Sequence, residues 1–441
     1  MNESRFGRVV TFYSYKGGVG RTLALADVGV FLAKMGNRVL MIDWDLEAPG
    51  LLTYFRQWLP EGPGPDLLEL IEGFSEIEPQ QAAERWSKVE LPEVKGELAI
   101  LPAVARDAEE HAQRVQAIDW DSRYEDGFGN WLEELRAAWQ RDWDYILVDS
   151  RTGYSDIGGV CTMQLPEVLV AFFTPNEQSI DGALSAARHA QTGQKRLPID
   201  RAPLRVVPVA TRLDNTEHTL RRKWESRYTE QFGPLVDEWT DADSHTTELL
   251  QLLAVPYVPF WSYGEQLPAV AGDTSDKLGV ERAHESLALL LSLRLSDVGR
   301  LVEERARVSD ESYRRWKYDI YISASAADRE TSAQLAEVLR SHGLRVAEST
   351  GREAIEPGTR LAEVRDTVVL WGASPAVSQM SDIAVADERS RQHPTSRRLI
   401  PVMLSTAAES LPSALAVRHA LRVDGRKVDE VAETIAGILR E

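Results

Sequence analysis

Short apolar runs alternate with helical patterns along the first three hundred residues of the chain. The runs typical of strands are 8–14, 38–43, 98–103, 145–150, 169–175 and 204–211. Segments with helical spacing lie between or after them, at 22–36, near 130–141 and near 281–305. Strands that are apolar throughout are typical of a parallel sheet covered by helices on both faces. The pattern therefore predicts a parallel α/β domain.

The same alternation starts again after a charged segment at residues 307–317. It gives strands at 318–325, 344–349, 366–374 and 398–404, and helices at 328–343 and 429–441. We expect a first domain over 1–306, a linker over 307–317 and a smaller parallel α/β domain over 318–441. The second domain would have about 125 residues, a common domain size.

The composition is globular, with 43% hydrophobic and 27% charged residues. The single cysteine, Cys161, cannot form an intramolecular disulfide and favours a reducing compartment. The N-terminus lacks the apolar stretch of a secretion signal, and no apolar run approaches the ~20 residues of a membrane-spanning helix. We expect a cytoplasmic protein that binds no membrane. The net charge of −19 also disfavours nucleic acid as a partner, because non-specific DNA binding depends on basic residues.

A glycine-rich segment joins the first predicted strand to the first predicted helix. It reads Lys16, Gly17, Gly18, Val19, Gly20, Arg21 and Thr22. Glycines let a backbone approach phosphates, and the N–H groups at a helix start bind anions. A phosphate-binding loop usually has lysine before the serine or threonine, whereas this chain has Arg21. The segment is either a nucleotide site that differs from that pattern or a structural glycine turn.

Acidic residues at the ends of two strands favour the nucleotide site. Asp43 and Asp45 lie at the end of the strand 38–43, and Asp149 lies near the end of the strand 145–150. Ligands of open α/β sheets bind at the carboxyl ends of the strands. We therefore expect Mg²⁺ to be held by Thr22, Asp43 and Asp149, beside phosphates bound by residues 17–22.

On these residues, the chain from 5 to about 300 resembles the deviant-Walker-A ATPases, the MinD/ParA-like group of P-loop proteins. Their loop reads K-G-G-x-G-K-[ST]. The resemblance implies that ATP is the nucleotide and that Lys16 is a catalytic lysine reaching the partner's phosphates in an ATP-dependent homodimer. It makes Asp45 the catalytic residue that orients water. It also places Arg212, Asp214 and Pro256 near the adenine.

Arg21 is the departure from that family pattern. Arginine keeps the positive charge and binds phosphate oxygens with a planar fork, but it does not replace lysine conservatively. We expect ATP binding to survive and hydrolysis to be slow. The stretch also resembles a bacterial subgroup with a KGGxGR loop and a DWDLEAPGL segment, whose members are usually fused to signalling or effector domains.

The second predicted domain resembles a TIR domain, a flavodoxin-like fold, over about 318–441. The resemblance rests on the segments YDIYISASAADRE, IEPGTRL, VVLWGASPAVS and RLIPVML. Enzymatic TIR domains cleave NAD⁺ with a glutamate on the helix after the Ser-Pro segment. Glu388 lies near that place and is the candidate catalytic residue. The alternative is that Glu388 belongs to a solvated helix face, as most charged residues do.

Three functions remain open on the sequence. The favoured one is a slow ATPase switch that dimerises around nucleotide and controls the TIR-like domain, with a protein partner and an output in bacterial defence or stress signalling. The oligomer could continue beyond two copies. The second is an NAD⁺-cleaving effector regulated by the ATPase domain. The third is a positioning ATPase of the MinD/ParA kind, with the C-terminal domain as an adaptor.

Overall fold

The computed structural model describes most of the chain. The described residues are 6–61, 64–104, 108–153, 159–197, 201–214, 218–240, 245–271, 279–303, 305, 317–349, 361, 363–392, 397–404, 411–418, 420–423 and 428–440. The chain divides into two compact units. The first comprises residues up to 213 and 222–302, and the second comprises 214–221 and the residues from 303 onward. The linker expected at 307–317 lies outside the described residues except for Lys317, and the domain boundaries stay predictions.

The first unit is built on a seven-stranded sheet. Its strands are β1 (Arg8–Ser14), β2 (Arg38–Asp43), β3 (Ser87–Lys88), β4 (Glu97–Leu101), β5 (Tyr145–Asp149), β6 (Val168–Phe173) and β7 (Arg205–Ala210). Their order across the sheet is β3-β4-β2-β5-β1-β6-β7. All neighbours pair in parallel except β3 and β4, which are antiparallel. The parallel α/β architecture predicted from the sequence is confirmed.

Helices follow the strands up to residue 292. They are α1 (Arg21–Lys34), α2 (Leu51–Phe55), α3 (Leu67–Glu72), α4 (Pro79–Ala83), α5 (Ala108–Gln116), α6 (Trp120–Glu125), α7 (Phe128–Asp142), α8 (Glu177–Gln194), α9 (His218–Asp237), α10 (Thr246–Leu253), α11 (Pro268–Ala271) and α12 (Val280–Ser292). None of the helices within the described residues has the length and apolar character needed to cross a bilayer.

The core lies on both faces of this sheet, as the apolar strands predict. Successive residues of a strand point to opposite faces. Accordingly, Val39 and Met41 of β2 join one apolar cluster, whereas Leu40 and Ile42 join the other. Trp131 and Trp139 of α7 belong to the second cluster. β1 lies between β5 and β6, so the loop after β1 leaves the middle of the sheet.

The second unit has a five-stranded sheet. Its strands are β8 (Tyr318–Ser323), β9 (Val346–Glu348), β10 (Val364–Trp371), β11 (Leu399–Met403) and β12 (Leu421–Arg422), and its helices are α13 (Arg329–Ser341), α14 (Val377–Gln392), α15 (Ser413–Ala416) and α16 (Val428–Arg440). All its strand pairs are parallel, in the order β12-β11-β10-β8-β9. Counted within the unit, this is the 2-1-3-4-5 order of flavodoxin-like folds. The IEPGTRL segment lies almost wholly outside the described residues.

One expected helix is shorter than the sequence pattern suggests. The pattern near 281–305 predicts one continuous helix, but α12 ends at Ser292. Arg294, Leu295 and Asp297 have φ angles of 56°, 59° and 59°, which belong to the left-handed region and cannot continue a right-handed helix. The backbone therefore turns there.

Candidate functional site

The glycine segment forms a loop between β1 and α1. Gly18 and Gly20 have φ angles of 71° and 87°, a region in which side-chain-bearing residues are strained. Gly20 immediately precedes α1, and no side chain caps the first N–H groups of that helix. Those N–H groups lack intrahelical partners. The loop therefore offers backbone donors and a helix start to an anion, as the sequence predicts.

Arg21 lies beneath this loop and contacts two acidic residues. Its Nε donates to Asp149 Oδ1 at 2.6 Å, and its Nη2 donates to Asp45 Oδ2 at 3.1 Å. All three residues are buried, with 6% of Arg21 exposed. Among the described residues, Arg21 Nη1 is a buried nitrogen with no hydrogen-bond partner. Most buried donors in proteins have a partner, so Nη1 is suited to donate to an acceptor that a ligand supplies.

Thr22 and Asp149 are also in direct contact. The Thr22 hydroxyl donates to Asp149 Oδ2 at 2.7 Å, so both Asp149 oxygens are engaged by the start of α1. A hydroxyl and a carboxylate are hard oxygen ligands, and Mg²⁺ typically combines one or two carboxylates with substrate phosphates and water. Within the described part of the chain, no three His, Cys, Asp or Glu side chains form a metal cluster. The donor set at Thr22 fits a Mg²⁺ ion that arrives with its nucleotide.

Asp43 lies opposite Asp149 on the neighbouring strand but uses its oxygens differently. Its Oδ1 accepts from the Asp45 backbone N–H at 3.2 Å, and its Oδ2 accepts from the N–H groups of Gly50 and Leu51, each at 3.1 Å. These bonds fold residues 43–51 back beside the phosphate loop. They give Asp43 an anchoring role, while its role as a metal ligand stays a prediction.

The buried side chains of the site include more acidic than basic residues. Asp43, Asp45 and Asp149 are all buried at this site, and two of them, Asp45 and Asp149, form ion pairs with Arg21. Burial, with the charge of Asp149, raises the pKa of Asp43 to about 8. Burial also raises the pKa of Asp149, although Arg21 and Thr22 oppose this shift. Another cation would relieve the excess negative charge, because an opposite charge favours the ionised form of a carboxylate.

The segment expected near the adenine approaches the phosphate loop through Arg212. A Cβ atom built on Gly18 would lie 3.9 Å from Arg212 Nη2. Arg212 has a φ of 56°, and its guanidinium lies over the ring of Tyr257, 5.8 Å from the ring centroid. Leu213 pairs with Pro256, which brings the two segments together. Asp214 is exposed. The adenine roles of Arg212, Asp214 and Pro256 stay predictions.

Lys16, the first residue of the glycine segment, contacts the helix that follows β6. Its Nζ donates to Gln178 Oε1 at 2.5 Å, and Gln178 belongs to α8. Gln178 was not predicted from the sequence, because 162 positions separate the two residues. An ion pair between Glu47 and Arg151 was also not predicted, and it joins the segments that follow β2 and β5. No local pattern marks either contact.

Glu388 lies on α14 of the second unit and is exposed. Its neighbour Asp387 is buried and forms an ion pair with Arg418 at 2.9 Å. Another acidic residue of α14, Asp382, accepts from the hydroxyl of Ser323 on β8 at 2.7 Å. The exposure of Glu388 agrees with a solvated helix face, and its catalytic role stays a prediction.

Of the comparisons with known proteins, only the one with solved structures found similar proteins. No protein-family model matches the chain, and no curated protein matches it. MinD from Aquifex aeolicus is similar at 20% identity and a TM-score of 0.43, covering 65% of this chain and 97% of that chain. MinD from Pyrococcus horikoshii, complexed with Mg-ADP, has 17% identity, a TM-score of 0.44 and coverages of 69% and 98%. The ParA protein of pNOB8, bound to nonspecific DNA, has 17% identity, a TM-score of 0.43 and coverages of 66% and 98%. The expectation that this chain avoids nucleic acid stays a prediction.

Proposed function

We propose that the first unit binds ATP with Mg²⁺ and hydrolyses it slowly. The observation that carries this proposal is the position of Arg21 and Thr22. Both begin α1 below a loop with two left-handed glycines, and both contact Asp149 at the carboxyl end of β5. A structural glycine turn would not require a buried arginine, a hydroxyl and a carboxylate to meet at its base. The unpartnered Arg21 Nη1 supplies a donor for a phosphate oxygen.

In this proposal, different residues bind the phosphates, the Mg²⁺ ion and the attacking water. The N–H groups of the loop and the Arg21 guanidinium bind phosphate oxygens. Thr22 and Asp149 hold Mg²⁺, the metal supplying charge neutralisation at the phosphates. Asp45 lies within reach of Arg21 and orients water for attack. Tyr257 is 44% exposed beside Arg212 and offers an aromatic surface near the loop.

Arg21 gives a physical reason for slow turnover. Its guanidinium is bound to Asp45 and Asp149. Nη1 can donate to a phosphate oxygen while Nε and Nη2 keep their contacts with Asp149 and Asp45. Asp45 would then stay bound to Arg21 and be less available to orient water, which would slow hydrolysis. Slow hydrolysis suits a switch, which must persist in its ATP state.

We further propose that ATP promotes self-association through Lys16, and that the second unit, with its flavodoxin-like strand order, delivers the output. The glycines at 17, 18 and 20 are exposed, and Lys16 is half-buried. Nucleotide bound there would therefore remain accessible to a second copy. Defence or stress signalling is the proposed setting of a TIR-like output, and this step rests on resemblance alone.

Light scattering of the full chain with Mg²⁺ and either ATP or ADP tests this proposal. We expect ATP to increase the mass of the wild type and Lys16→Ala to prevent the increase. Lys88→Ala is the matched control, because Lys88 is an exposed lysine on the edge strand β3 and outside the site. A mass that ATP leaves unchanged in the wild type would refute the nucleotide-dependent dimer.

A further inference from the structure

The first two turns of α8 lie beside the start of the phosphate loop. This placement follows from the sheet, because β6 pairs with β1 and Ser14 lies opposite Phe172. α8 begins four residues after β6 ends, with Asn176 as its N-cap. The Asn176 side chain accepts from the Ser179 N–H at 3.0 Å, which fixes the start of the helix. The chain that leaves β1 therefore runs past a rigid helix start.

Tyr15 packs directly on this helix at Gly182. A Cβ atom built on Gly182 would lie 2.2 Å from Tyr15 Cδ1 and 2.3 Å from Cγ, a distance that no real side chain tolerates. Gly182 is buried within α8, where glycine costs about 1 kcal/mol relative to alanine. The ring contact explains the glycine, since only a residue without a side chain lets the Tyr15 ring lie against the helix.

Lys16 is bound one helical turn earlier on the same face. Gln178 and Gly182 are four residues apart, so their positions lie on one face of α8. The Lys16 ammonium donates one hydrogen to Gln178 Oε1. An ammonium has three hydrogens, so two remain for phosphate oxygens. Two consecutive loop residues are thus fixed by two positions of one helix.

We propose that Gln178 and Gly182 are positioning residues for Lys16. Gly182 leaves room for the Tyr15 ring to pack on the helix, and Gln178 holds the Lys16 ammonium at the start of the loop. A lysine side chain is long and flexible, so holding it in place reduces the freedom that is lost when it meets a phosphate. This inference rests on the proposed function, because it assigns α8 a part in the step that uses Lys16.

If Gln178 positions Lys16, its replacement should affect phosphate release and self-association but not ATP binding. Loop N–H groups and Arg21 do not contact Gln178, so ATP affinity should stay within about twofold of wild type. Phosphate release and ATP-dependent self-association depend on Lys16 and should fall about three- to tenfold in Gln178→Met, the usual effect of losing one ordinary hydrogen bond at the protein surface. A purely structural contact would change the stability of the protein but would leave phosphate release unaltered relative to ATP affinity.

The experiment uses the full chain with Mg²⁺ and ATP, and measures ATP affinity by calorimetry alongside phosphate release. Gln178→Met and Gly182→Ala should lower phosphate release while affinity is kept. Gly233→Ala is the matched control, because a Cβ on Gly233 would find its nearest neighbour at 4.0 Å. In a Tyr15→Ala background, Gly182→Ala should lose most of its effect. Equal phosphate release in wild type and Gln178→Met, or a Gly182→Ala effect that persists without the Tyr15 ring, would overturn the proposal.

A second measurement separates this inference from the proposed function. The rate of acetylation of Lys16 in the nucleotide-free chain reports the contact with Gln178 without any need for ATP. We expect Gln178→Met to raise that rate at least threefold, while the rate at Lys88 stays unchanged. An unchanged rate at Lys16 would refute the positioning contact. A wild-type chain that binds no ATP, with the acetylation result as expected, would refute the proposed function and leave the contact supported.

Discussion

Replacing Arg21 by methionine tests the buried charge arrangement at the base of the loop. Methionine keeps much of the apolar stem but removes the cation that binds Asp45 and Asp149. Removing one partner of a buried ion pair costs about 3–5 kcal/mol, because the remaining charge is left buried. Asp149 can take up a proton instead, since burial already raises the pKa of its carboxyl group and the opposing charge of Arg21 would be gone. We therefore expect the free energy of unfolding to fall by an amount near the lower end of that range, about 3 kcal/mol.

Calorimetric unfolding of the nucleotide-free chain gives the size of this loss. One kcal/mol shifts Tm by about 2 °C in a domain of 250 residues. Arg21→Met should therefore lower the Tm of the first unit by about 6 °C. Hydrogen exchange assigns the transition, because peptides from α1 report the first unit and peptides from α13 report the second. Arg114→Met is the control, since the ion pair between Arg114 and Glu72 is partly exposed and worth at most about 1 kcal/mol.

Two results would refute this reasoning. One is an Arg21→Met protein whose Tm stays within the small change expected for Arg114→Met. The other concerns coupling between Arg21 and Asp149, whose side chains lie 2.6 Å apart. Residues in contact show non-additive losses. The double variant Arg21→Met/Asp149→Asn should therefore lose less stability than the two single variants added together. Additive losses would show that the two side chains do not form the buried pair.

Two further predictions concern the second unit. Burial alone would raise the pKa of Asp319, but hydrogen bonds from the Arg345 side chain and backbone outweigh it and lower the pKa. The stabilisation is therefore present above the unfolded pKa of about 3.9 and lost as pH falls through the folded pKa. Asp319→Asn should flatten the acid limb of the unfolding curve, and an unaltered curve would contradict the shift. Because Glu388 is exposed, we expect Glu388→Gln to leave nicotinamide release from NAD⁺ unchanged. A release that falls on substitution would make Glu388 catalytic.

Much of the fold follows from the apolar pattern of the chain. β1 and β2 have the bounds that the sequence predicts, because both are central strands whose residues are buried on both faces. β3 was not predicted, since Ser87 and Lys88 form a two-residue polar strand with no pattern to read. The end of α12 was also not predicted. The left-handed residues there include Arg294 and Leu295, which carry no glycine or proline signal.

The candidate site was predicted in its members but not in its contacts. The sequence brings Arg21, Thr22 and Asp149 together, because carboxyl ends of parallel strands share one edge of the sheet. It does not show that Arg21 spans two carboxylates, since that depends on side-chain geometry. It also gives no sign of Gln178, because the pairing of β6 with β1 decides which helix lies beside the loop. Such contacts depend on strand order, which local patterns do not encode.

Calorimetric titration of the full chain with ATP in the presence of Mg²⁺ tests the central claim most directly. We expect one ATP to bind per chain, with affinity that falls when EDTA removes the metal and falls similarly in Thr22→Ala. The absence of heat in the wild type, together with no displacement of a fluorescent ATP analogue, would contradict a triphosphate site beneath this loop.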